Sequence, residues 1–220
     1  MNDVRAELFV SWALGIGAIE LVPGGRKLGS GRMSPYFFNS ALFTDGKSSH
    51  MLLSDYAQRA VDLNVSFDVI FGPAYKGITL AFGMTLCLHQ DHHRNVSWAH
   101  NRKEEKAHGE GGILVGENLK HQSVLLADDV MTTGRSSDEA VKAIKEAGGT
   151  LVGCVIAFDR QEKTEHSAHS ATQQFTFKHK VPLIAIASLD DLIAVLERDP
   201  TKADILKEIR AYKERYGLSV

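Results

Sequence analysis

Apolar residues fall along this chain in two kinds of pattern. Four runs are short and almost unbroken: FDVIF at 67–71, SVLLA at 123–127, TLVGCVIAFD at 150–159 and VPLIAIA at 181–187. Their length and the turn residues that bound them predict strands. Between them, apolar positions recur every three or four residues, from about 48 to 63, in GITLAFGMTLCL from Gly77, in EAVKAIKEAGG at 139–149 and in LDDLIAVLERD after the fourth run. These predict helices, the third ending on glycine. A further helix is predicted at the N-terminus, where Val4, Leu8, Trp12 and Ile16 recur every four residues and would pack on a core. Strands alternating with helices of this length imply βαβ units, hence an α/β fold with a central, mostly parallel sheet flanked by helices. Near-continuous apolar strands suit such a sheet, because both of its faces are covered. With no repeat, low-complexity tract or long linker, residues 1–220 read as one domain.

In sheets of this kind ligands sit beyond the carboxyl ends of the strands, so the residues that follow each run carry the chemistry. After the first comes GPAYKG, 72–77, a tight turn presenting Tyr75 and Lys76 at a helix start. It is not a Walker A loop, since GxxxxGK[ST] is absent. After the second come Asp128 and Asp129, then VMTTGRS. Successive strand side chains point to opposite faces, which disfavours a same-face carboxylate pair. The two acids suit ribose hydroxyls or a magnesium-bound ligand. The small residues behind them, ahead of a helix N-terminus, suit a phosphate monoester. The plainer alternative has both acids solvated, with Thr132 and Ser136 merely capping a helix. Asp159 and Arg160 end the third run, where the arginine suits a planar carboxylate or imide ligand, or an internal ion pair.

Two segments follow no predicted strand. HNRKEEKAHGEGG, 100–112, has no apolar anchor and ends with three glycines in four residues. It is either a solvent hairpin or a lid that carries Arg102, Lys103, Lys106 and His108 to a phosphate-rich ligand. SGRMSPYFFN, 30–39, sets Phe37 beside Phe38, for core filling or for stacking on a flat heterocycle.

Composition narrows the field. A net charge of −2 supplies no basic footprint for nucleic acid or an anionic membrane. Asp3 and Glu7 outweigh Arg5 ahead of the first apolar stretch, so it does not read as a signal peptide, and the run is too short to span a bilayer. A cytoplasmic, reducing location is the expectation. Cys87 and Cys154 lie in apolar runs and read as small buried hydrophobes. Ten histidines include clusters at His89, His92 and His93 and at His166 and His169, but none of these five sits in a motif singled out above, and solvated histidines are expected.

VLLADDVMTTGRS resembles the phosphoribosyl-diphosphate signature of type I phosphoribosyltransferases: apolar strand, two acids, two apolar residues, then small residues around glycine. Together with it, SGRMSPYFFN, FGPAYKGI, NRKEEKAHGEGG and FDRQE look like the orotate-specific members of that family, and these five blocks stand in order across 30–162. The resemblance implies the family fold with a small hood and a flexible lid over about 100–112. It implies transfer of phosphoribosyl from phosphoribosyl diphosphate to orotate, with magnesium (Mg2+), in a homodimer whose lids reach the neighbouring site.

Matched residue by residue, Asp128 and Asp129 would hold the ribose hydroxyls, and the backbone of Val130, Met131, Thr132, Thr133, Gly134, Arg135 and Ser136 the 5′-phosphate. Tyr75 and Lys76 would touch the diphosphate side, and Arg102, Lys103, Lys106 and His108 would close over it. Phe37, Phe38, Thr132 and Arg160 would hold orotate. Three positions depart from the pattern: Gly29 stands where a lysine is usual, with Lys27 two residues earlier; Thr133 and Arg135 replace smaller or uncharged residues; and Glu105 adds a negative charge to the lid. A regulator that binds nucleic acid on the same fold would show a basic helix face, and an enzyme for another base would differ in pocket shape.

Overall fold

A computed structural model describes residues 3–106 and 112–218. The chain opens with α1 (Val4–Gly15), whose first amides, Arg5 and Ala6, donate to the Asp3 carboxylate. An antiparallel hairpin follows, β1 (Ile19–Lys27) and β2 (Met33–Phe38). Then come α2 (Gly46–Asp62), closed by an Asp45–Ser48 capping box, β3 (Val69–Phe71) and α3 (Lys76–His92). Next are β4 (Ser97–Lys106), β5 (Gly112–Gly116), β6 (Ser123–Asp128) and α4 (Arg135–Glu146). The chain finishes with β7 (Thr150–Asp159), α5 (Ala171–His179), β8 (Leu183–Ser188), α6 (Leu189–Leu196) and α7 (Ala203–Tyr216).

Six strands form the main sheet in the order β5-β4-β3-β6-β7-β8, parallel except for β4 with β5. The alternation of side chains along each strand divides the apolar runs between two cores. Ile70, Leu125, Ala127, Val155 and Ala157 face α1, α2, α3 and α6. Val69, Phe71, Val124, Leu126, Cys154 and Ile156 face α4 and α5. Each fully buried large side chain contributes roughly 1.5–3 kcal/mol, so a polar residue at either set of positions would be costly. This is why the four runs carry no polar face. Cys87 and Cys154 are both buried and unpaired, as their surroundings predict.

Two sequence expectations need correction. The N-terminal helix forms, but not on the stripe expected: Val4 and Leu8 are 67% and 65% exposed, while Ala6, Phe9, Val10 and Ala13 are buried. A row of every fourth residue slants around a 3.6-residue helix, so positions spaced three and four apart win the core face. Segment 100–112 is also not detached from the sheet. Its start is the outward half of β4, whose inner half pairs with β3 through Ser97, Trp98 and Ala99. Beyond Ala99 the strand pairs with β5, Asn101 with Leu114 and Lys106 with Gly112. Its lack of apolar residues hid a strand that runs past the core.

The β1–β2 hairpin is the hood. A register shift between Leu21 and Arg26, around Pro23 and two glycines, breaks its period-two pattern. It packs over the end of β7 by aromatic contact, Phe38 stacked on Phe158 at 5.6 Å and Tyr36 tilted against the same ring at 6.1 Å. Among the described residues no helix is long and apolar enough to cross a membrane.

Candidate active site

The carboxyl ends of β3, β4, β6 and β7 meet along one rim. After β3 the chain turns through Gly72 and Pro73 into α3, a turn that demands glycine: a Cβ on Gly72 would lie 1.8 Å from the Gly77 carbonyl oxygen. The Ala74–Tyr75 peptide is cis. The Ala74 amide donates to Asn101 Oδ1 at 3.0 Å, which ties this turn to the outward half of β4. Tyr75 is exposed, and Lys103 Nζ sits 4.7 Å from its ring centre.

Lys76 Nζ reaches across to Asp129 Oδ2 at 2.7 Å. Ser40 Oγ donates to the same oxygen at 2.9 Å, and the Val130 amide donates to Oδ1 at 2.8 Å. A cleft of about 300 Å³ is lined by Ser40 and Lys76 together with Phe43, Leu52 and Leu80. Asp128 turns the other way, as strand alternation requires. Its Oδ1 accepts from the Asp129 amide at 2.9 Å and its Oδ2 from Ser137 Oγ at 3.3 Å, while the buried Tyr56 hydroxyl donates to its backbone carbonyl at 2.7 Å. Burial, and then the neighbouring Asp129 charge, push the Asp128 carboxyl up to about 6 against the pull of its hydrogen bonds. Neither acid is simply solvated.

Behind them, Val130 and Met131 turn their side chains into the two cores and so pin the loop. Thr132, Thr133, Arg135 and Ser136 are exposed. Gly134 is the N-cap of α4 with a φ of 76°, and no side chain caps the helix there; the Arg135 amide makes a long 3.4 Å contact to Thr133 Oγ1. The capping role entertained for Thr132 and Ser136 is therefore not what they do. The amides of this first turn point outward with the positive end of the helix dipole behind them. Arg135 pairs with Glu139 one turn on, 86% exposed.

Arg160 is buried. Its guanidinium lies 4.4 Å from the Tyr36 ring centre and donates to Glu162 and to Ser34 Oγ, the latter at 3.0 Å. Phe38 is core, while Phe37 is half-buried with Arg26 4.3 Å from its ring centre. Lys27 pairs with Met33 at the hood's end, and Gly29 lies in the turn that the Leu28 amide closes onto the Arg32 carbonyl. Lys106 ends β4, and His108 lies outside the described residues.

Thus Tyr75, Lys76, Lys103, Asp128, Asp129 and the 130–136 loop share the rim, and Phe37, Phe38 and Arg160 lie on the hood side of it. Sequence reading missed Ser40, Asn101, Tyr56, Ser137 and Glu162. Ser40 directly follows SGRMSPYFFN, and Asn101 and Glu162 lie inside quoted motifs, but tertiary contacts alone give them partners.

A parallel sheet whose rim pairs two acids with an uncapped, glycine-led helix start defines a phosphoribosyltransferase, and the model of the phosphoribosyl transferase domain matches residues 43–187. Comparison with individual proteins narrows this. The chain is 43% identical over 218 residues to the orotate phosphoribosyltransferase of Thiobacillus denitrificans, covering 99% of this chain and 100% of that one. It is 45% identical over 195 residues to that of Nitrosococcus oceani, covering 89% and 88%. The crystal structure of orotate phosphoribosyltransferase from Francisella tularensis matches with a TM-score of 0.84 at 32% identity, over 96% of this chain and 99% of that one. The chain belongs to the orotate phosphoribosyltransferase family.

Proposed function

We propose that the protein transfers the 5-phosphoribosyl group from phosphoribosyl diphosphate to orotate, releasing diphosphate and orotidine 5′-monophosphate for pyrimidine (UMP) biosynthesis. The observation that carries this reading is the end of β6, where two separately anchored carboxylates stand directly before the open N-terminus of α4. Asp128 and Asp129 accept hydrogen bonds from the ribose hydroxyls. The backbone of residues 130–136 and the side chains of Thr132, Thr133 and Ser136 receive the 5′-phosphate.

Breaking the anomeric C–O bond builds positive charge on the ribose and negative charge on the departing diphosphate. Fixed donors at the second of these are worth most once water is excluded. Tyr75, Lys76 and Lys103 already line that side of the rim, and Arg102, Lys106 and His108 join them as the β4–β5 ribbon closes. Phe37, Phe38, Thr132 and Arg160 hold orotate, the arginine meeting its carboxylate.

Magnesium fits this rim as a partner of the substrate. Among the described residues no group of three or more His, Cys, Asp or Glu side chains gathers to hold a metal. The rim carboxylates are hard oxygen donors, and an ion that keeps its waters and binds chiefly through phosphate oxygens needs no all-protein cage. When bound it neutralises charge on the diphosphate.

The working form is a cytoplasmic homodimer with lids shared across subunits. Phe82 and Leu86, one turn apart on α3 and each about half exposed, give it an apolar face; sedimentation showing monomer alone would contradict the dimer. The net charge of −2 supports neither nucleic acid nor membrane as a partner. The test of function is orotate-dependent release of diphosphate, with the wild type active and Lys106→Ala reduced mainly in kcat. A folded wild type without turnover on orotate overturns the reading.

A further inference from the structure

Where β7 ends, one acid gathers donors from three places in the chain. Glu162 Oε1 accepts from Arg160 Nε at 2.9 Å and from the Tyr36 hydroxyl at 3.2 Å, and it is ion-paired with Arg160 Nη2 at 2.6 Å. Its Oε2 accepts from Arg32 Nη1 at 3.2 Å, in the hood turn. The side chains of Arg160, Glu162 and Arg32 are 8%, 11% and 18% exposed, and Tyr36 is fully buried. Ser34 Oγ accepts a hydrogen bond from Arg160 Nη2, and the Tyr36 ring lies against the guanidinium plane.

Three features of this cluster bear on the ligand. First, Arg160 directs Nε to Glu162 and Nη2 to Ser34, whereas among the described residues Nη1 makes no hydrogen bond, the neighbouring Tyr212 hydroxyl itself being buried without a partner. Second, burial pushes the Tyr36 hydroxyl up, keeping it neutral, so two guanidinium groups face one carboxylate and one positive charge is left over. A buried unmatched charge is costly, and a monoanionic carboxylate is its complement. Third, the cluster ties the hood to the end of β7, so the guanidinium is aimed only when the hood is seated.

We infer that Glu162 is a positioning residue for base selectivity: it locks Arg160 by one edge, with Arg32 and Tyr36 bracing it, and so presents Nη1 and a single surplus charge to the carboxylate of the incoming base. This rests on the reading that Arg160 meets orotate.

The test compares orotate with uracil, the same ring without the carboxylate. Glu162→Gln is expected to weaken orotate binding about tenfold, the scale of a charge-assisted bond. The inhibition constant of uracil and the KM for phosphoribosyl diphosphate should move less than about twofold. Tyr36→Phe, which removes one bracing bond and little volume, is expected to weaken orotate about threefold with uracil again unmoved. Equal weakening of orotate and uracil would make Glu162 a mere support of the fold and overturn the proposal. Should Glu162→Gln fail to fold by circular dichroism, Tyr36→Phe decides alone, and an unchanged orotate affinity there overturns it. Arg160→Ala separates the two levels. If it leaves orotate affinity intact, the underlying assignment of Arg160 falls. If it weakens orotate while the Glu162 and Tyr36 variants do not, only the positioning role falls.

Discussion

Strands β6 and β4 lie on either side of β3 in the same parallel sheet, yet they end in opposite ways. β6 stops at the rim, and each of its last two acids is bonded: Asp128 to Ser137, Asp129 to Lys76 and Ser40. β4 runs past the rim on a two-stranded ribbon, and its outward residues, from His100 to Lys106, include no apolar side chain. The first end is organised when the chain folds, at the expense of burying a carboxylate. The second is held by pairing with β5 and by the Ala74 amide on Asn101 rather than by a core.

Mutations at the two ends should therefore behave differently. Asp129→Asn, at the fixed end, should lower kcat/KM by about 10²–10³, the scale of losing a preorganised charged partner, and steady-state kinetics would show it. A loss under tenfold would remove Asp129 from the transfer step. At Asp128 the expected effect is on stability. Its carboxyl titrates at about 6 in the fold, above the ordinary value of 3.8. The folded state thus takes up this proton before the unfolded state does. The destabilisation is absent below about pH 4, grows as pH rises through 6, and is complete above it. Asp128→Asn should gain about 2–3 kcal/mol at pH 8, the equivalent of that shift, and nothing near pH 4, while losing activity. Urea unfolding at both pH values checks the sign, and a loss of stability at pH 8 would contradict it.

At the ribbon end, Lys103→Ala should lower kcat about tenfold and leave the melting temperature within about 1 °C, since an exposed cation adds little to the fold. A large drop in melting temperature would mean that the ribbon is part of the core after all. Smallest of all, Arg135→Ala should change the KM for phosphoribosyl diphosphate less than about twofold, because its exposed pair with Glu139 is worth only tenths of a kcal/mol. A tenfold rise would show that Arg135 leaves Glu139 for the phosphate.

Much of this was legible in the order of residues. β7 matches its apolar run over 150–159 residue for residue, because a strand covered on both faces leaves no choice of residue type on either. The opposed directions of Asp128 and Asp129 follow from strand geometry, whatever surrounds them. The hood, α5 and α7 were not evident from periodicity. β1 is interrupted by a register shift, and the exposed apolar stripe on α1 shows that periodicity alone does not say which face a neighbour will cover.

Local chemistry therefore determined the sheet, the acids at its rim and the glycine-led loop behind them, since each depends on residues a few positions apart. Tertiary structure decided what holds those groups. Ser40 reaches Asp129 across 89 positions, and Arg32 reaches Glu162 across 130. Hydrogen bonds act over about 3 Å in space, and no spacing along the chain reports which distant residues will come within that reach.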